Sequence, residues 1–160
     1  MSRFYSIDEA NEQLPELRRI LGALRDQRAE LIRLRDEVLE RQGAVEAAAE
    51  GTGAGGTGAG LPDGDGGTDA ELRRLRLRMQ GVIDQMQAGV ARIDDLGITL
   101  REIETGLIDF PALVTGRPIW LCWRLGEDGV AHWHPHDEGY DTRRPLSELP
   151  MGRGSGTPAA

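Results

Sequence analysis

A single cysteine, Cys122, excludes an internal disulfide. Aromatic residues make up only 4% of the 160, so a core must rest mostly on Leu, Ile and Val. No stretch approaches the roughly 18 to 20 consecutive apolar residues that a membrane span needs. The first thirty residues also lack the apolar run of a signal peptide, so a cytoplasmic protein is expected. Lysine is absent altogether, every basic residue being arginine; no function follows from that. The net charge of −8 is spread evenly, with 8 arginines against 11 acids over 1–50, 5 against 7 over 51–100 and 6 against 9 over 101–160. No third of the chain carries the positive footprint that phosphate neutralisation demands, which argues against nucleic acid as a partner.

What is present is helix first. With 39% hydrophobic and 29% charged residues, the chain suffices for one domain with a modest core, here drawn over 1–149. Residues 6–48 read as one amphipathic helix opened by Ser6 and Glu9, a capping box. Ile7, Ala10, Leu14, Leu17, Leu21, Leu24, Leu31 and Val38 recur at alternating steps of three and four, a heptad seam. Arg28 and Arg35 interrupt it, and Leu34 with Leu39 offers a rotated stripe that could take over. Pro15 removes a helical hydrogen bond two turns in, so a kink is expected there.

From Gly43 to Gly67 the composition changes to ten glycines in 25 residues. A flexible loop is expected, because glycine maximises the entropy cost of ordering and brings no side-chain contact. A phosphate-binding loop would need a preceding strand and a GK[ST] sequence, both missing. Thr68 and Glu71 then form a second capping box, and Leu72, Leu75, Met79, Val82, Met86, Gly89, Ile93 and Leu96 restore the heptad spacing. The second helix is expected over 69–96, stopping at Gly97. Two seams joined by a flexible loop pair most simply as an antiparallel hairpin. Arg73, Arg74, Arg76 and Arg78 read better as a solvated face pairing with acids of the first helix than as an RNA contact.

After Gly97 the period becomes that of strands. A β-meander is expected over 98–136: ITLREI, a turn at Glu104–Gly106, LIDF before Pro111, then PIWLCWRL and VAHWH around a compact GEDG turn. A C-terminal loop over 137–149 and a disordered tail over 150–160 complete the chain. The fold class is therefore α+β, a long coiled-coil-like antiparallel two-helix hairpin with a small C-terminal antiparallel sheet.

The stretch WLCWRLGEDGVAHWHPH, residues 120–136, holds every tryptophan, every histidine and the cysteine. Two hairpin registers are open. A two-residue turn sets Trp123 opposite His132 and Cys122 opposite Trp133. A three-residue loop sets Trp123 opposite Trp133 and Cys122 opposite His134. The second is favoured because it separates an apolar face (Ile119, Leu121, Trp123, Leu125, Ala131, Trp133) from a polar one (Trp120, Cys122, Arg124, His132, His134, His136). The polar face offers Cys122, His132 and His134 as ligands for zinc or another transition metal. Packing beside a neutral thiol is the plainer reading. Nucleophilic catalysis by Cys122 with His134 lacks a visible oxyanion-hole element. Trp120, Trp123 and Trp133 serve aromatic packing, with ligand stacking the sharper reading for Trp120.

The order FYSIDEANEQLPEL, a variable loop, DDLGITLREI, GLIDFP, LCWRLGE, WH and GYDTRRPL resembles DUF2203, a bacterial domain of unknown function, from Phe4 to Leu146. The resemblance implies no activity, and it departs from the family pattern at His132 and His136. It leaves Asp109, Cys122, Glu127, His134 and Arg143 as the candidate polar site. Each has a plain alternative: Asp109 organising a turn, Glu127 capping the hairpin, Arg143 clamping the tail. Two function classes are carried forward. The leading one is an interaction or scaffold protein with a small polar pocket on the sheet, taking a protein partner or a second copy along the helical seams. The other is a small metal- or ligand-binding protein, enzymatic or not, centred on Cys122 and His134.

Overall fold

The computed structural model describes residues 3–51 and 65–149. Two long helices, α1 (Ile7–Gly51) and α2 (Asp65–Asp95), precede five strands: β1 (Thr99–Glu102), β2 (Leu107–Val114), β3 (Arg117–Arg124), β4 (His132–Pro135) and β5 (Arg144–Pro145). The strands form one antiparallel sheet in chain order. The protein is thus α+β, a helical hairpin followed by a small sheet. Residues group into two compact units, 26–87 and the combination of 3–25 with 88–149.

In the first of these units the two helices run antiparallel. Arg78 pairs with Glu30 at 3.0 Å and Arg41 with Glu71 at 2.9 Å, so positions rise along α1 as they fall along α2. Leu34, Val38, Leu72 and Leu75 are buried together, with Met79 and Val82 against them. Leu34 takes over the seam where Arg28 and Arg35 interrupt it, whereas Leu39 of the same rotated stripe is 57% exposed. The helix continues past Gly43 to Gly51, further than expected, because Ala-Val-Glu-Ala-Ala-Ala-Glu is strongly helix-forming. α2 starts at Asp65, four residues before the expected 69. The remainder of the glycine-rich segment, 52–64, and the tail 150–160 fall outside the described residues.

The other unit begins with the expected cap: Glu9 N–H donates to Ser6 Oγ at 3.1 Å, and Ser6 N–H to Glu9 at 3.4 Å. The helix passes Pro15 without a break. Ala10, Leu14, Leu17, Ile20, Leu21 and Leu24 are buried on α1, with Ile93 on α2 and Leu96 just beyond its end. Arg92 bridges to Glu16 at 2.7 Å, the antiparallel sense again. α2 ends in a Schellman motif: Gly97 has φ +75°, its N–H reaches Asp94 O, and Ile98 N–H reaches Ile93 O.

The sheet is apolar on one face. Ile108, Phe110, Ala112, Ile119, Leu121, Trp123 and Trp133 are all buried there. The Phe110 ring meets Tyr5 edge-on at 5.2 Å, and Arg18 of α1 lies 5.8 Å from the Trp123 ring. β2 does not stop before Pro111 but runs through it to Val114. The missing N–H costs nothing, because β1 pairs no further than Asp109, and Pro111 O accepts Tyr5 N–H at 2.7 Å on that open side.

The β3–β4 pairing differs from both expected registers. Cys122 lies opposite His132, Leu121 opposite Trp133 and Trp120 opposite His134. The register is two residues away from the favoured one, so the division into faces survives while every partner changes. The cause is the connection: GEDG is no compact turn, and residues 125–131 peel away toward α1. Val130 N–H donates to Asn11 Oδ1 at 2.9 Å, and Arg18 donates to Asp128 O at 2.6 Å. The expected C-terminal loop contains the fifth strand and two 3-10 turns, Tyr140–Thr142 and Leu146–Glu148.

Candidate functional site

On the polar face, the middle strand of three carries the smallest side chain. Asp109 of β2 sits opposite Cys122 of β3, which sits opposite His132 of β4. Strands lie about 4.8 Å apart, so β2 and β4 are two such spacings from one another. Cysteine is short enough for longer groups to meet beside it. His134 leans back over β3, and its Nε2 comes 3.0 Å from Asp109 Oδ2. Suitable ligand atoms of Asp109, Cys122 and His134 all lie within 4.8 Å of one another, and all three residues are buried.

Hydrogen-bond accounting at this cluster is incomplete. His134 Nδ1 lies 3.0 Å from Pro135 O, an acceptor that a proton on that nitrogen would satisfy. Nε2 faces the Asp109 carboxylate at hydrogen-bond distance, so the ring meets an acceptor at each nitrogen and a neutral ring can donate to only one of them. Asp109 Oδ2 receives Arg101 Nε at 2.8 Å, while Asp109 Oδ1 is buried with no hydrogen-bond partner. The thiol completes the group. Burial, and next the carboxylate of Asp109, push Cys122 up to about 12, with the Arg143 guanidinium pulling the other way. A thiol so strongly held in its neutral form is a poor nucleophile on its own, because the thiolate is the attacking species.

Glu127 and Arg143 form a second, adjoining arrangement. Two parallel bonds of 3.1 and 2.8 Å join them, and Glu127 also accepts Arg124 N–H at 2.8 Å. Burial raises the Glu127 carboxyl, but the bonds from Arg143 and the Arg124 amide outweigh it and hold the group below the usual carboxylate range. The same pairing raises Arg143. His132, one of the three sequence-nominated metal ligands, turns its Nδ1 toward Glu127 at 3.5 Å and does not join the Asp109 cluster. Trp120 stacks on His136 with centroids 4.9 Å apart and planes 17° off parallel, and Arg101 lies 5.0 Å from its ring. Trp123 and Trp133 are buried on the opposite face and cannot stack on a ligand bound here.

A pocket of about 280 Å³ opens over the cluster, lined by Arg101, Leu107, Asp109, His134, His136 and Tyr140 among others. Sequence reasoning missed Arg101 and Tyr140. Arg101 falls where the β1–β2 register shifts, between Leu100 and Glu102, and such bulges re-aim side chains. The residue alternation of ITLREI gives no sign of it.

The fold and cluster define a small α+β protein that presents a buried Asp/Cys/His group beneath a pocket on its sheet. The chain belongs to the family described as an uncharacterized conserved protein, DUF2203, whose family model matches residues 3–146. Comparisons with curated proteins and with solved structures give no match. Among the described residues, no helix is long and apolar enough to cross a membrane.

Proposed function

We propose that the protein binds a transition-metal ion of the zinc class through Asp109, Cys122 and His134. The observation that carries this reading is the convergence of ligand atoms from three buried residues, Asp109, Cys122 and His134, within 4.8 Å of one another, with the second His134 nitrogen beside a backbone carbonyl. A backbone acceptor on Nδ1 is the usual way of presenting Nε2 to a metal. Tetrahedral zinc with N and O ligands near 2.0 Å sets them about 3.3 Å apart, and a thiolate about 3.6 Å from either. The nitrogen and oxygen, 3.0 Å apart, would open by about 0.3 Å, and side-chain rotation of about 1 Å would bring in the sulfur. Metal binding would remove the thiol proton, which burial otherwise retains. A free thiolate ligand also suits a reducing compartment, in keeping with a cytoplasmic location.

The test is elemental analysis of tag-free protein purified without chelator, beside Asp109→Asn, Cys122→Ala and His134→Ala. Near-stoichiometric metal in the wild type, lost in each variant with helicity intact, is expected. Wild-type protein that carries no metal and takes up neither zinc nor cobalt would overturn the proposal.

The scaffold reading retains one supporting observation. Leu39 and Leu77, on the hairpin of unit 26–87, are 57% and 67% exposed. Burial of both against a second copy would offset the cost of exposing them. Sedimentation over a concentration series should then reveal a dimer that survives Cys122→Ala and is lost in Leu39→Glu with Leu77→Glu.

A further inference from the structure

We infer that the proposed metal keeps one coordination position open to the pocket, and that this position takes the carboxylate of a small monoanionic molecule together with Arg101. The inference rests on the metal reading above. Among the described residues, no fourth His, Cys, Asp or Glu comes close enough to complete the ligand set. Nearby candidates face elsewhere: His132 Nδ1 points to Glu127 at 3.5 Å, Glu127 is gripped by Arg143, and the His136 ring lies stacked on Trp120. Closed structural zinc sites have four protein ligands, whereas sites with three leave a place for water or substrate. Two of the three ligands, Asp109 and His134, line the 280 Å³ pocket, so the vacant direction faces it.

Charge and donors select the occupant. A divalent ion with one thiolate, one carboxylate and one neutral imidazole is formally neutral, and Arg101 beside it adds one positive charge. A monoanion therefore neutralises the site. Arg101 spends Nε on Asp109 and is braced against the Trp120 ring, its side chain 42% exposed. Among the described residues its terminal amino groups have no acceptor, leaving them to bind a planar anion in the manner guanidinium favours. Asp137 and Glu138 on the rim disfavour further negative charge, although Glu138 is partly satisfied by Arg144 at 3.5 Å. At about 280 Å³ the pocket lies at the small end of the roughly 300–1,000 Å³ usual for ligand sites, which suits a small metabolite.

The experiment uses the full chain loaded with cobalt(II), whose visible absorption reports the coordination sphere. Acetate and propionate are the probes, titrated at constant ionic strength into wild type, Arg101→Met and Arg101→Lys. A saturable spectral change in the wild type is expected, with affinity at least about tenfold weaker in Arg101→Met and partly restored in Arg101→Lys. No cobalt spectrum at all would sink the metal reading, and this inference with it. A cobalt spectrum unmoved by either carboxylate would leave the metal standing and overturn the open position. A spectral change of equal affinity in all three proteins would overturn the part given to Arg101. If Arg101→Met fails to fold, Arg101→Lys against wild type decides that last point.

Discussion

The thiol of Cys122 is the most accessible handle on the cluster, and its reactivity follows from its surroundings. An ordinary thiol titrates near 9, whereas burial and the Asp109 carboxylate push this one up to about 12. At pH 8 an ordinary thiol is about one-tenth thiolate, and Cys122 in the folded, chelator-treated protein about one part in ten thousand. Alkylation by iodoacetamide should be slower on the order of a thousandfold, before any allowance for steric exclusion. The assay is mass-spectrometric quantitation of the single modified residue, native against unfolded chain, from pH 7 to 11. The native rate should climb about tenfold per pH unit with no plateau, and Asp109→Asn should raise it. A rate that follows denaturant concentration instead would report global opening, which is separable by adding low urea. Native alkylation within about tenfold of the unfolded rate at pH 8 would refute the account, and with it the placement of a neutral thiol beside a carboxylate.

Three further perturbations follow from the geometry. Leu34→Ala opens the four-residue core of unit 26–87 and should cost about 2 to 5 kcal/mol in chemical denaturation; a loss under 1 kcal/mol would mean the seam is not carried by Leu34. Gly106→Ala places a Cβ 2.5 Å from Leu125 Cβ at a φ of +68° and should destabilise by about 1 to 3 kcal/mol, readable as a lowered Tm. Glu127 has a lowered folded-state value, so its stabilisation is complete above the unfolded carboxyl near 4.3 and fades as pH falls through the lower folded value. Accordingly Glu127→Gln should be less stable than wild type at pH 7, and the gap should close below about pH 4; a gap independent of pH would contradict that sign.

Much of the architecture was legible because it depends on period. The Ser6–Glu9 cap, the heptad seam through Leu14, Leu17, Leu21 and Leu24, and the stop at Gly97 are local patterns, and all are present. The division of β3 and β4 into faces was legible for the same reason, since alternation fixes parity. The partner across the ladder was not, because residues 125–131 are held by Asn11 and Arg18, more than 100 positions away in sequence. The site shares that fate. Asp109 and His134 meet only once β2 is known to pair Asp109 with Cys122 and β4 to pair two residues further on. The strand Arg144–Pro145 is too short to leave a period at all.

The two-residue displacement also bears on what the cluster is for. In the favoured register Cys122 and His134 would have been direct neighbours, a pair that ordinary sheet packing accounts for. In the structure they are diagonal, and His134 has crossed the middle strand to reach a carboxylate on the next. Sheet pairing does not require that reach. It places a buried imidazole and a buried carboxylate in contact, where unpaired charge is costly, and it leaves Asp109 Oδ1 without a partner. A cation held as proposed above would give the Asp109 carboxylate, the His134 imidazole and the Cys122 sulfur a shared partner. The unpartnered Oδ1 belongs to Asp109, which the sequence offered both as a member of the polar group and as the organiser of a turn.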